Sequence, residues 1–418
     1  MSVLVRTRRR RETPDTASRP PAGLSTASGV AAVTVLTSLP VFLPGAANGL
    51  ICAELGWSPV RMGAVLAVYW LASLSGAFVS RRSALPPVVE RTLSIALLAT
   101  GLGLLTAAAA PAAGLWLSSA VGGYAYGYTQ PHTNALLMRR CAPRLRAFAF
   151  GLKQAAVPTA TLLASVAMPM LAGPVGWRLV FAGTAVLCGA GGAFLVRRSH
   201  SDVRRHPSPP PRKHDGTPLR LDTFVLALTC AGFFGAMVGN GLGGFLVLAL
   251  TTRGVSLSAA GAVATAGAAL NIAVRLAMGW LVGRAPRAAW TALPVLFLTG
   301  AAGTALLTRP GPVVLTVGAL LAYGGGWGWA GLLHYAIGLP YPGQEQRATA
   351  YSQMGVSLGA ATGPLVCGLL FQLGPAAAWW ALTVAGSAAG ACVLAARRRP
   401  EAGVSPARDR RRDSPRPA

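Results

Sequence analysis

The chain has 418 residues, of which 53% are hydrophobic and only 11% charged, and 37 Lys and Arg against 11 acids give it a formal net charge of +26. Soluble domains carry about 25% charged residues, so a surface solvated on all sides is excluded and the chain belongs in a bilayer. The cations cluster between apolar runs instead of lining one soluble face, which argues against nucleic acid as a partner.

In chain order, residues 1–28 contain the basic stretch TRRRRETPDTASRP and read as a tail. The apolar run that follows, 29–51, is too long for the apolar core of a cleaved signal and reads as a retained span. Similar runs recur at 62–80, 92–110, 113–138, 147–172, 178–196, 221–250, 257–282, 289–308, 312–338, 347–372 and 376–396. Each is long enough for a hydrocarbon core of about 30 Å at 1.5 Å per residue. Ala-Pro-Ala-Ala at 110–113 and Leu-Gly-Pro at 373–375 supply turns where no charge divides the runs. The segment 197–220, containing SDVRRHPSPPPRKHDG, is rich in Pro and charge and reads as a linker. It separates six spans (29–196) from six more (221–396), and a second basic tail follows at 397–418.

With the N-terminus placed inside, 31 of the 37 cations fall on the inner side. Four lie outside (Arg61, Arg178, Arg253 and Arg309), and Lys153 and Arg275 lie within spans. That alternation predicts a multi-pass protein of the cell membrane with both termini cytoplasmic, its basic side attracted to anionic lipid headgroups. The six cysteines are far apart, with no metal-ligand spacing, and read as small core residues. No phosphate-binding loop, metal set or cofactor motif occurs.

The two halves match weakly at a near-constant offset. Arg146-Ala147 matches Arg347-Ala348, and Gly173-Pro174 matches Gly374-Pro375. His132 matches His334, and Gly76, Val79 and Arg81 match Gly279, Val282 and Arg284. Asn48-Gly49-Leu50 matches Asn240-Gly241-Leu242 at a shorter offset. Parallel six-span repeats are a transporter architecture, with the substrate site where the halves meet near mid-membrane.

On this 6+6 plan, the basic turns after spans 2 and 8, and Gly-Trp-Arg-Leu-Val-Phe (176–181) opening span 6, the chain resembles the major facilitator superfamily. The resemblance implies an all-α membrane protein of twelve transmembrane helices in two pseudo-symmetric six-helix bundles. It further implies a cavity lined by spans 1, 4, 7 and 10 with parts of 2, 5, 8 and 11. The chain departs from the superfamily's G-x-x-x-D-R loop motif: Ser80 stands where the aspartate is expected, and Gly283 does so in the second copy. Proton-coupled drug exporters carry a buried Arg in span 4 and a Gly-Pro motif in span 5; neither is present, and Ala156-Val157-Pro158-Thr159 stands in span 5.

The polar residues within spans follow that cavity assignment. They are Asn48, Gln130, His132, Asn134, Lys153, Gln154, Asn240, Asn271, Arg275, His334, Gln353 and Gln372, and spans 3, 6, 9 and 12 hold none. Such groups are costly in a bilayer and usually face a protein interior or water. Arg275 is about 13 Å from the inner boundary by helix rise, at a cost of roughly 2.5–3.5 kcal/mol for a central Arg. Gly267, Asn271, Arg275, Gly279 and Gly283 recur every four residues as one ridge, whose glycines permit close helix contact. No Asp or Glu lies within a span, so a substrate anion is the expected partner of Arg275; an Arg satisfied by main-chain carbonyls and Asn271 is the other reading. The span-8 Arg before a Gly also resembles the monocarboxylate and oxalate/formate branches of the superfamily, where such an Arg holds the substrate carboxylate.

The expected substrate-binding set is Arg275, Asn271, His132, His334, Asn48, Asn240, Tyr128, Trp327, Lys153 and Gln154. Lys153 is a candidate second anion contact or a side chain reaching inward to the boundary. Tyr124, Tyr128 and His132 share one face of span 4, and Tyr323, Trp327 and His334 one face of span 10. A histidine or Glu54 is a candidate proton carrier, in keeping with a symporter. The expected function is secondary transport of a small organic anion such as a monocarboxylate, by a monomer. An exporter of amphipathic or cationic compounds is an alternative. A multi-span membrane enzyme would need clustered acids, metal-spaced His or an activated nucleophile, and none is evident.

Overall fold

The computed structural model describes residues 23–83, 89–172, 176–205, 219 and 222–397. They form fourteen α-helices and two short irregular turns, with no strand among the described residues. The first half comprises α1 (Leu24–Ala46), α2 (Asn48–Leu55), α3 (Pro59–Arg82), α4 (Val89–Ala109), α5 (Pro111–Arg140), α6 (Pro143–Ala167) and α7 (Trp177–Arg205). The second comprises α8 (Thr223–Thr251), α9 (Leu257–Arg284), α10 (Ala289–Leu306), α11 (Pro312–Gly324), α12 (Ala330–Gly338), α13 (Glu345–Phe371) and α14 (Pro375–Arg397).

Nine of the described helices are long and apolar enough to cross a membrane. Helices α5 and α6 are also long, at 30 and 25 residues, and fall below that apolar level because they carry Gln130, His132, Asn134, Lys153 and Gln154. The tenth span is divided: α11 ends at Gly324, and α12 begins at Ala330 after a run of turns through Gly325-Gly326-Trp327-Gly328-Trp329. Glycine costs about 1 kcal/mol in a helix interior relative to Ala, so this run is where a helix yields most readily. The first span is split too, at Ala47, a few residues after Pro40 and Pro44. These pieces together make twelve spans.

Local sequence sets the ends. Ser58, Asp222 and Ser256 cap α3, α8 and α9 by accepting from the main-chain N–H three residues on, which satisfies one of the orphan donors of each first turn. Proline opens α3, α5, α6 and α11, where its missing N–H costs nothing. Gly374, at φ 113°, turns the chain into α14, a conformation that favours glycine. Helix α7 runs to Arg205, beyond the apolar run that ends at 196, and most of the linker expected at 197–220 lies outside the described residues, as do residues 1–22 and 398–418 of the expected tails; residues 24–28 of the first already belong to α1.

The helix pairings repeat between halves. Helix α1 packs on α6 and α8 on α13; α4 packs on α7 and α10 on α14. Helices α4, α7, α10 and α14 turn apolar stripes outward, with Ile95, Leu102, Val186, Val295 and Val384 each more than half exposed. Those stripes meet lipid, so these four helices have no need of polar residues.

Because lipid tails are as apolar as leucine, small residues that let backbones approach carry the packing. Gly355, Gly359 and Gly363 on α13 lie against the carbonyls of Thr229, Phe233 and Met237 on α8, and a Cβ at any of them would collide with main chain. We predict that Gly359→Val forces these two helices apart within one half. It should lose the folded protein, read as poor recovery and a lowered melting temperature in detergent.

Between halves, α3 packs on α13 and α6 on α9. The contacts run along the end that bears the basic turns, here the basic end. Arg81 donates to Tyr351 Oη at 2.9 Å, and Gln346 Nε2 to Ser80 O at 2.8 Å. Gly279 lies against Ala147 and Phe148, and Gly283 against Arg144. The seam reaches mid-span at Ser73–Ser357 (2.8 Å) and at Gln154–Arg275. Toward the far end, Gly45, Gly49, Gly63, Gly244 and Gly261 have nothing within 4 Å of where a Cβ would stand. The two halves are therefore held closed at the basic end.

Candidate functional site

The ridge on α9 forms as its spacing predicts, and its two ends face different helices. Gly267 packs on the Tyr323 ring, whereas Gly279 and Gly283 pack on α6 of the other half. Between them, Asn271 Nδ2 donates to Tyr323 O at 2.7 Å, and Arg275 donates from Nη2 to Trp327 O at 2.7 Å and from Nη1 to Gln154 O. The side chains of α9 thus satisfy carbonyls at the break between α11 and α12, and unpaired buried carbonyls are costly in a membrane. Arg275 is 2% exposed. Of the two readings of this residue, the main-chain carbonyl partners belong to the second, with one correction: they come from Gln154 and Trp327, and Asn271 serves Tyr323 instead.

Lys153 is fully buried. Its amine donates to Gln130 O at 3.0 Å and to Asn134 Oδ1 at 2.5 Å, both on α5. The side chain therefore stays in the core and does not reach for the basic boundary. His334, on α12, bonds Ser352 Oγ at 2.7 Å through Nδ1 and lies within electrostatic reach of both Lys153 and Arg275. Glycine contacts explain the convergence. Gly151, two residues before Lys153, lies against the main chain of Arg275, and Gly331, three residues before His334, lies against Gly151. One glycine junction thus draws α6, α9 and α12 together and assembles three basic side chains. Among the described residues no Asp or Glu lies within the spans; Glu54, Glu90, Asp202, Asp222 and Glu345 stand at or near helix ends.

Around these bases are buried polar atoms with no hydrogen-bond partner: Gln130 Oε1, Asn134 Nδ2, Gln154 Nε2, Asn271 Oδ1, Arg275 Nε and Gln353 Oε1. Buried polar groups are normally paired, and these orphans lie between the middle and the basic end of α5, α6, α9 and α13. Gln130 and Asn134 on α5 face this group through Lys153, and Tyr126, one turn before Gln130, lies within electrostatic reach of Arg275.

The expected stripe Tyr124-Tyr128-His132 is the other face of α5. Tyr124 and Tyr128 stack with centroids 6.1 Å apart, and Tyr124 is 42% exposed. His132 lies on the basic-end seam, near Ser80 and Gln346, so the two pseudo-symmetric histidines have different partners. Asn48 and Asn240 are half-buried and bonded within their own helices, Asn48 to Cys52 and Asn240 to Ala236 O; neither is bonded to the basic group. Trp327 packs on Gly239, is 9% exposed, and joins the site through its carbonyl. Glu54 receives the Trp177 indole N–H at 2.6 Å and the Arg178 guanidinium at 2.5 Å at the far end. Those two donors hold its carboxyl below the usual value and make it a tie between helix ends. Gln130 and Asn134 are among the polar residues singled out within the spans but not in the expected substrate-binding set, and Tyr126 is in neither group. Their spacing of four was the available signal.

A fold of this kind has known relatives. Solved structures similar to this chain include the human organic anion transporter MFSD10 (TETRAN), at 17% identity and a TM-score of 0.65, covering 90% of this chain and 100% of that one. The transporter FucP in its outward conformation matches at 12% identity and a TM-score of 0.66, covering 88% and 98%. The proton:xylose symporter XylE bound to 6-bromo-6-deoxy-D-glucose matches at 15% identity and a TM-score of 0.65, covering 89% and 96%. No curated protein matches the sequence. The family model of the Major Facilitator Superfamily matches residues 30–351. With twelve spans in two repeated halves, a buried polar group at their junction and that match over most of its length, the chain belongs to the Major Facilitator Superfamily of membrane transporters.

Proposed function

We propose that this protein is a secondary transporter of a small organic anion, a monocarboxylate being the simplest fit, which it moves by alternating access between its two halves. The carrying observation is the group Lys153, Arg275 and His334, drawn from both halves and buried between the middle and the basic end of their spans without an acid within the described spans. An anion about 4 Å from one cation gains about 4 kcal/mol at an effective dielectric of 20. Two such contacts offset the several kcal/mol of desolvating a carboxylate. A guanidinium presents a planar pair of donors that matches a carboxylate. To bind the substrate, Arg275 exchanges main-chain carbonyls, worth about 1.5–3 kcal/mol as partners of a charged group, for a charged acceptor. The bond to Gln154 O crosses between halves, so its exchange bears directly on whether the halves part. Among structural relatives, one is described as an organic anion transporter, while others carry sugars with protons. The basic end is the cytoplasmic one on this reading, with both tails there.

A second reading is favoured by the two carbonyl bonds themselves: Arg275 is a strut that holds the broken tenth span in place, and substrate charge is irrelevant to it. A proteoliposome screen of carboxylates and other small solutes, with and without a pH gradient, separates the two. The anion reading expects uptake of carboxylates by the native protein and its loss in Arg275→Ala. Uptake confined to neutral or cationic solutes would overturn it.

A further inference from the structure

The seam at the basic end carries an unused titratable group. His132 is fully buried on α5. Its Nδ1 is 2.7 Å from Tyr128 O and 3.2 Å from Ser80 Oγ, and its Nε2 is 3.3 Å from Gln346 Nε2 on α13. A carbonyl only accepts, so Nδ1 carries the hydrogen. The Gln346 nitrogen also lies 2.8 Å from Ser80 O and 3.2 Å from Ser83 O. Those two carbonyls hold the amide with its NH2 side toward the imidazole, so the neutral Nε2 faces a donor nitrogen and a hydrogen on it would find no acceptor there. Ser80 stands at the position where the superfamily's loop motif has an aspartate, and a neutral imidazole, hydroxyl and amide occupy this seam.

The geometry points to His132 as a proton-binding site that governs closure of the basic end. The closed seam admits only the neutral ring. A proton on Nε2 sets one donor against another across the two halves, so closing releases a proton and opening takes one up. Acid therefore favours the open basic end. The charged and titratable groups toward the basic end of the elements packed against α5 are Arg81 and Arg82 on α3, Glu90 and Arg91 on α4, Arg144, Arg146 and Lys153 on α6, His334 and Tyr335 on α12, Glu345, Arg347 and Tyr351 on α13, and Arg139 and Arg140 on α5 itself, where Arg140 pairs with Glu90. Arg81 is engaged with Tyr351 and Lys153 with Asn134. The ring's own hydrogen-bond partners are Tyr128, Ser80 and Gln346. The inference does not depend on the substrate.

Hydrogen–deuterium exchange of the full chain in lipid nanodiscs tests it, comparing native protein and variants at each pH from roughly 8 to 5, the range in which imidazoles titrate. Taking the ratio at one pH removes the pH dependence of exchange chemistry. The readout is the start of α13 and the end of α3. His132→Gln keeps an acceptor and cannot be protonated. We expect native exchange there to rise about fivefold to a hundredfold relative to His132→Gln on acidification, the span set by 1–3 kcal/mol for a lost buried partner. Gln346→Leu should exchange fast at every pH, without that response. A native protein that tracks His132→Gln throughout would overturn the assignment. If His132→Gln does not fold, a Gln346→Leu protein that keeps the native pH response would overturn it equally.

Discussion

Gly151→Leu should abolish transport while leaving a folded protein in the membrane. A Cβ at Gly151 would collide with the Arg275 carbonyl of the opposite half, and Gly331 already lies against the same glycine. A leucine there has no room while the basic end is closed. Overpacking costs typically 1–3 kcal/mol where neighbours can shift, and here the obstacle is main chain. On the alternating-access reading, however, the halves part at this end; one hydrophobic cluster spans both halves, and each half keeps a further cluster of its own. The wedge is therefore relieved by opening, and about 3 kcal/mol moves a two-state balance more than a hundredfold. The contrast with Gly359→Val is informative, since that glycine packs within one half and has no open state as a refuge. Uptake in proteoliposomes, with exchange at the end of α9 as the conformational readout, checks the prediction. Normal uptake by Gly151→Leu would mean that this junction does not work as a seam.

Arg275→Lys should raise the transport KM for a carboxylate about tenfold to a hundredfold with a smaller change at saturation. A lysine keeps the charge but cannot span Gln154 O and Trp327 O together, nor offer a carboxylate paired donors. A hydrogen bond to a charged group is worth about 1.5–3 kcal/mol, which sets that range. The strut reading expects something else: a lowered melting temperature, and a loss of rate alike for every solute. Concentration series for two carboxylates of different size, beside a melting curve, separate the two patterns. An unchanged KM would leave Arg275 as a structural residue.

Much of this architecture was legible because a bilayer imposes a length and a polarity on each segment. The turns at Ala110-Pro111 and Gly374-Pro375 and the ridge from Gly267 to Gly283 follow from composition and spacing alone. What spacing cannot give is which partner a ridge meets. Asn271 and Arg275 turned to carbonyls of the tenth span because Gly325, Gly326 and Gly328 break it there, and a break frees acceptors that no sequence period announces. The aromatic stripe of span 4 forms as its spacing predicts, but spacing does not say which face of the helix meets Lys153. Two parallel faces, Tyr124-Tyr128-His132 and Tyr126-Gln130-Asn134, share the same period, and only the position of Lys153 on the neighbouring helix selects the second. His132 and His334 occupy matching places in the repeat, yet one meets Gln346 across the seam and the other Ser352. The halves diverge in what they touch more than in how they fold.

The most direct test of the anion assignment is counterflow with a carboxylate and its own amide. Proteoliposomes are loaded with one unlabelled compound, and entry of labelled carboxylate is followed. The two solutes share size and shape and differ in charge. We predict that internal carboxylate drives labelled entry, that the amide does not, and that Arg275→Lys weakens the carboxylate response. Equal exchange by the amide would contradict the account at its centre.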